Sequence, residues 1–359
     1  MGMGSLLLCF FCVLLAARTS AVPVQPGTHL AVPGGVLRID AVVSKEPRQQ
    51  LHVYGSIGAA VDEAPQDGAG YVVYVARGVY KEHVVVRSPR VTLVGEGMGL
   101  TVIEDNRTNR SVDVHSNQET AVLDVQGDYF TARELTVING AGVDAGPAVA
   151  VRSASHRSVF HRCEFDGFQD TLLAESKTQF YKQCHIHGTI DFIWGDATAV
   201  FQDCLIFVRK PPLGQHNVVT AQGRDAPERD TGFSFQNCTL TTRDNLTGVE
   251  TYLGRPWRNH SHVMFMESFL DTILDPKGWV TWKKEDVAAP ATRSVKYLEY
   301  GNRGPGAVYT GRVRWTGFHH VSHAHEAENY TVDRFIDGNQ WLPGRQVAFN
   351  PGLYKLMHV

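Results

Sequence analysis

A strand-like phrase carrying a single cysteine recurs through the middle of the chain, as HRCEFDG, KQCHIHG, QDCLIFV and QNCTLTT. Cys163 and Cys184 stand 21 residues apart, Cys184 and Cys204 stand 20 apart, and a longer step leads to Cys238. RELTVING reads as an earlier copy with Leu135 in the cysteine's place. A period near 20 with strand and turn content fits the coils of a parallel β-helix, each stacked on the last. A β-sandwich has no reason to keep such a period. The rest of the chain agrees: YVVYVA, RVTLVG, TAVLDVQG, AVAVRS and HVMFMESFL are short β-rich runs cut by glycine and polar residues. Helical periodicity is confined to SIGAAVDEAPQ, where Ile57, Ala60 and Val61 fall at i, i+3 and i+4. The expected class is all-β, a parallel β-helix (solenoid) of one domain.

The repeat also aligns two carboxylates. Asp170 lies seven residues after Cys163, and Asp191 lies seven after Cys184. Asp191 sits in HGTIDFIWGDA, between Ile190 and Phe192, where an uncompensated carboxylate is costly to bury. If the cysteines mark equivalent positions, the aspartates stand on adjacent strands, about 4.8 Å apart. Like charges that close cannot both ionise freely, so one becomes an acid and the other an ionised nucleophile or base. The bland alternative is a solvated ladder of acids or a calcium site. Gln169 beside Asp170, and Arg255 and Trp257 in LGRPW, favour chemistry. Arg255 is suited to clamp a carboxylate in a bidentate pair and keep it ionised. Read blandly, it is a surface ion pair and Trp257 a core aromatic.

A net charge of −3 over 359 residues gives no support for nucleic-acid binding. Residues 1–21, MGMGSLLLCFFCVLLAARTSA, read as a secretory signal cleaved after Ala21. Its apolar stretch is shorter than the roughly 20 residues a membrane span needs, so no membrane anchor is expected. Residues 22–50 then form an N-terminal segment and residues 51–359 the solenoid. In an oxidising compartment Cys163, Cys184, Cys204 and Cys238 are disulfide candidates with three connectivities. N-x-S/T sequons at Asn106, Asn109, Asn237, Asn245, Asn259 and Asn329 are glycosylation candidates. The histidine-rich HHVSHAHE, residues 319–326, reads as a polar loop rather than a zinc site, because spacing fixes no carboxylate or cysteine partner.

From about Val72 onward the chain resembles the plant pectin methylesterases (pectinesterases). The resemblance rests on GVYKE, LVGEGMG, FDGFQDTL, GTIDFIWGDA, TAQGR, LGRPW, NRGPGA and FIDGNQWLP, in order. It implies a right-handed parallel β-helix with an open cleft, secreted to the plant cell wall. It also implies hydrolysis of the methyl esters of galacturonate units in pectin. Asp191 would be the nucleophile, Asp170 the general acid and base, and Gln169 the oxyanion donor. Arg255 would orient Asp191, with Trp257 and Trp194 lining the sugar site. No metal or organic cofactor is implied. The implied partners are pectin and proteinaceous pectinesterase inhibitors, and a monomer is expected. The family often pairs cysteines at the spacing of Cys204 and Cys238. The inhibitor-like pro-region of many relatives has no room between Ala21 and the matching region.

Four departures stand out. Pro147 replaces a glutamine that helps form the family's oxyanion hole. Leu173 replaces a tyrosine, removing a surface for sugar stacking. Trp194 replaces a phenylalanine, and Asp196 replaces an asparagine and adds negative charge near the pair. These changes lead to an expectation of reduced or altered esterase activity. Two other readings remain. One is a pectin-binding wall protein that has lost catalysis. The other, a polygalacturonase, is disfavoured because NTD and GHG signatures are absent.

Overall fold

A computed structural model of the chain describes residues 24–32, 35–46, 52–283 and 290–354. The signal of residues 1–21 lies outside the described residues. Three parallel sheets of twelve, eight and seven strands form a right-handed β-helix, and from Tyr71 to Gly254 each coil lays one strand in each sheet. One full coil comprises Thr178–Lys182, His185–Gly188 and Ile190–Gly195. Antiparallel pairing is confined, among the described strands, to a hairpin of His29–Val32 and Gly35–Arg38 ahead of the solenoid.

The cysteine period is the coil period. Thr136, Glu164, His185, Leu205, Thr239 and Phe269 are in register across one sheet. Each is preceded by an inward corner residue: Leu135, Cys163, Cys184, Cys204, Cys238 and Ser268. Before each corner the backbone takes a left-handed turn, at Glu134, Arg162, Gln183, Asp203, Asn237 and Glu267. That conformation is uncommon for residues other than glycine, and its recurrence marks a built corner.

The disulfide expectation is corrected here. Cys163, Cys184, Cys204 and Cys238 are all buried free thiols. Stacked on parallel strands, they point the same way into the core instead of toward each other. The thiols of Cys184 and Cys238 donate to the backbone carbonyls of Phe160 and Phe201 one coil below, both at 3.3 Å. Ser268 makes the equivalent bond to Phe235 at 3.5 Å.

Beside the thiols runs a column of aromatic rings. Phe160, Tyr181, Phe201, Phe235 and Phe265 stack face to face, with centroids 5.0, 4.5, 4.5 and 4.4 Å apart. These spacings follow the rise between parallel strands.

The expected helix forms over Ile57–Asp62, buries Ile57, Ala60 and Val61, and is capped by the Ser56 hydroxyl. Two boundaries differ from expectation. Strand Ala41–Val43 already pairs with Tyr71–Val75, so the solenoid sheet begins ahead of residue 51. At the other end the chain turns back in short helices, Val332–Ile336 and Gly338–Trp341. Val332, Ile336, Trp341 and Leu342 cover Val159, Phe180 and Val200 on the outer face of the longest sheet. That apolar outer face needs a cover, because parallel sheets are buried on both sides.

Candidate active site

The site lies on the sheet made of Val84–Val86, Leu123–Val125, Val151–Ser153, Leu172–Ala174, Ile190–Gly195, Asn217–Gln222 and Thr251–Gly254. Leu172 pairs with Ile193, so Asp170 and Asp191 occupy equivalent positions on adjacent coils. The neighbouring strand explains how an aspartate fits between Ile190 and Phe192. Ile190 pairs with Val218 and Ile193 with Thr220, which leaves one extra residue on the Asp191 strand. This bulge puts Asp191 at φ 51° and turns its carboxylate to the cleft, while Phe192 enters the core. Asp170 has φ 65°. Aspartate tolerates this left-handed conformation better than most residues, and both side chains face one cleft.

Both carboxyls are almost fully buried, Asp170 with 6% and Asp191 with 5% of its surface exposed. Arg255, just past Thr251–Gly254, holds Asp191 in a bidentate pair, Nε to Oδ1 at 2.8 Å and Nη2 to Oδ2 at 2.6 Å. Its guanidinium carbon lies 4.3 Å from the ring centre of Trp282. Gly254, just before it, lets the strand lie close against Thr220, since a Cβ there would fall 2.1 Å from the Thr220 hydroxyl. Burial, then the Asp191 charge, holds the Asp170 carboxyl well above the usual carboxylate range, with Arg255 and Gln169 opposing. Burial also raises Asp191, and its bonds to Arg255 offset that rise only in part.

Gln169, Pro147, Trp194, Trp257, Ala221, Asn117 and Trp282 complete the lining. The structure therefore brings together every residue expected at the site. Trp194 meets Trp257 edge to face at 5.4 Å and donates its indole N–H to the Asp170 carbonyl at 3.1 Å. Leu173 is buried with Val149, Trp194 and Ala221, as an apolar floor under the tryptophans. Asp196 departs from expectation. Its Oδ2 is paired with Arg229 Nη2 at 2.6 Å and its Oδ1 accepts from the Thr231 hydroxyl, so its charge is matched locally.

Asn117 and Trp282 were not anticipated. Asn117 opens a short 3-10 turn, Asn117–Thr120, and lines the same cleft as Pro147. Trp282 in GWVTW stands 27 residues past Arg255, and no count along the sequence links it to the cleft.

Among the described residues, no group of three or more His, Cys, Asp or Glu is placed to hold a metal ion. No described helix is long and apolar enough to cross a membrane. Asn106, Asn109, Asn245, Asn259 and Asn329 are exposed. Asn237 is half-buried, and its Nδ2, the atom a glycan would take, donates to Asp203 at 2.7 Å.

The pectinesterase family model matches residues 40–339. Pectinesterase 2 of Citrus sinensis is 39% identical over 321 residues, covering 88% of this chain and 61% of that protein. Pectinesterase/pectinesterase inhibitor PPE8B of Prunus persica is 40% identical over 319 residues, covering 87% and 59%. The chain thus spans about three fifths of the length of these curated relatives. The solved pectin methylesterase from carrot superposes with a TM-score of 0.83 at 35% identity, covering 88% of this chain and 98% of that one.

Proposed function

Because the chain belongs to the pectinesterase family, we propose that it hydrolyses methyl esters of galacturonate units in pectin through an aspartyl acyl-enzyme. The observation that carries this reading is the bidentate Arg255–Asp191 pair beside a buried Asp170 whose carboxyl stays protonated above the usual range.

An Asp191 oxygen attacks the ester carbonyl carbon. The negative charge that develops on the carbonyl oxygen is met by the Gln169 carboxamide. Collapse breaks the bond to the methoxy oxygen, Asp170 gives that oxygen its proton, and methanol leaves. The product is an anhydride between Asp191 and the galacturonate carboxyl. Asp170, now ionised, takes a proton from a water molecule, which attacks the sugar carbonyl. The anhydride opens to the galacturonate acid and free Asp191. Arg255 keeps Asp191 ionised between turnovers and fixes its plane. Trp257 and Trp194 offer apolar faces to the sugar rings.

Pro147 has no side-chain donor for the oxyanion. Asn117, which lines the same cleft, carries a carboxamide that serves in its place. The protein acts as a monomer secreted to the plant cell wall, where proteinaceous pectinesterase inhibitors would meet it at this cleft.

The test is methanol release from highly esterified pectin, with Asp191→Asn as control. Release that vanishes in the control supports the acyl-enzyme. The Pro147 substitution favours a second reading, a wall protein that binds pectin without turning it over. Folded protein that binds pectin and releases no methanol would establish that reading instead.

A further inference from the structure

Strand Ile190–Gly195 carries Asp191 and Trp194, and the next residue, Asp196, begins a chain of ion pairs that ends on Trp257. Arg229 binds Asp196 through Nη2 at 2.6 Å and reaches Asp225 through Nη1 at 3.3 Å. The other oxygen of Asp225 takes Arg258 Nη1, also at 3.3 Å. The Arg258 guanidinium lies 4.6 Å from the ring centre of Trp257, and its Nη1 donates to the Gly223 carbonyl at 3.3 Å. Gly223 touches the same indole: a Cβ on it would fall 2.4 Å from the Trp257 ring.

Residues 223–231 therefore form a bracket. One end is fixed at Asp196, where Thr231 adds a hydrogen bond. The other end is pressed against Trp257 by Gly223 and Arg258.

We propose that Asp196 and Arg229 are positioning residues for Trp257, setting the pose in which its indole meets the polysaccharide. The role rests on reading Trp257 as a wall of the sugar site. Asp196 is buried and fixed to the catalytic strand, while Arg229, Asp225 and Arg258 are partly exposed. Exposed pairs are individually weak, so the strength lies in the series and in its buried anchor. An asparagine at 196 keeps the shape and the Thr231 bond but loses the charge that holds Arg229.

The experiment labels tryptophan with nitrogen-15 and follows the six indole N–H resonances, assigning Trp257 by Trp257→Phe. Asp196→Asn and Arg229→Ala should each shift or broaden the Trp257 resonance and leave Trp279, Trp315 and Trp341 in place. Arg229→Lys should restore it in part. Asp196→Asn should also weaken binding of an unesterified oligogalacturonide about three- to ten-fold and raise KM alike, with kcat within two-fold. That loss should disappear in a Trp257→Ala background, as expected for coupled residues. An unmoved Trp257 resonance, or an equal loss in both backgrounds, overturns the proposal. A protein that binds oligogalacturonide but releases no methanol sinks the esterase reading alone. The resonance decides the role of Asp196 even if no sugar binds.

Discussion

Arg255 occupies both oxygens of Asp191 at once, through Nε at 2.8 Å and Nη2 at 2.6 Å, with the carboxylate almost fully buried. A lysine can match the charge but not the fork. Arg255→Lys is expected to lower kcat/KM for methanol release on the order of 10²–10³, the typical cost of losing a preorganised group. Arg255→Ala leaves a buried carboxylate unpaired and should also destabilise the fold by about 3–5 kcal/mol. Denaturant titration beside the methanol assay separates the two effects.

Asp170 makes an opposite prediction for stability. Its folded-state pKa lies above the unfolded value because of burial and Asp191. The native state thus holds a proton that the unfolded chain gives up. Stability is complete below the ordinary carboxylate range and falls as pH rises toward the raised value. Asp170→Asn removes that loss. The variant should melt together with the parent in acid and above it near neutral pH, while methanol release disappears.

The oxyanion donors can be separated by two substitutions. Asn117→Ala should lower kcat about 10- to 100-fold with a smaller change in KM, somewhat below the usual cost of an oxyanion donor. Pro147→Gln should raise kcat in the parent and recover part of the loss in Asn117→Ala. Steady-state kinetics on esterified pectin read both, and an unchanged kcat in Asn117→Ala would remove Asn117 from the mechanism.

The thiol column predicts indifference to reductant. Titration after denaturation should find thiols at Cys163, Cys184, Cys204 and Cys238, and the melting temperature should be equal with and without dithiothreitol. Cys204→Ala should cost about 1–2 kcal/mol, from a small cavity and a weak lost bond.

The site was legible where the coil period was regular. Cys163 and Cys184 are separated by a coil without insertion, so counting seven residues from each places Asp170 and Asp191 side by side. Flanking coils carry longer excursions, between Asn139 and Val151 and between Val208 and Asn217. Asn117 lies in another such excursion, between Asp105 and Leu123, so no count along the coils aligns it with the pair. The bulge at Asp191 was hidden for a different reason. It depends on the pairing of Val218 and Thr220, which lies on another strand. The C-terminal helices escaped notice because four or five residues are too few to show a helical period. Asp196 was read by its charge alone, and Arg229, 33 residues later, cancels that charge.

The ring column inside the solenoid has a consequence for the cleft outside it. Phe160 belongs to the coil of Asp170 and Tyr181 to the coil of Asp191, and the two rings lie 5.0 Å apart within 5° of parallel. Each ring sits on the strand that begins its coil, so the stack keeps the strand pitch, and the dense core resists shear between the two coils. The strand pitch sets the distance at which one acid feels the other, and the coil pair that carries both is tied from within by residues that never meet the substrate.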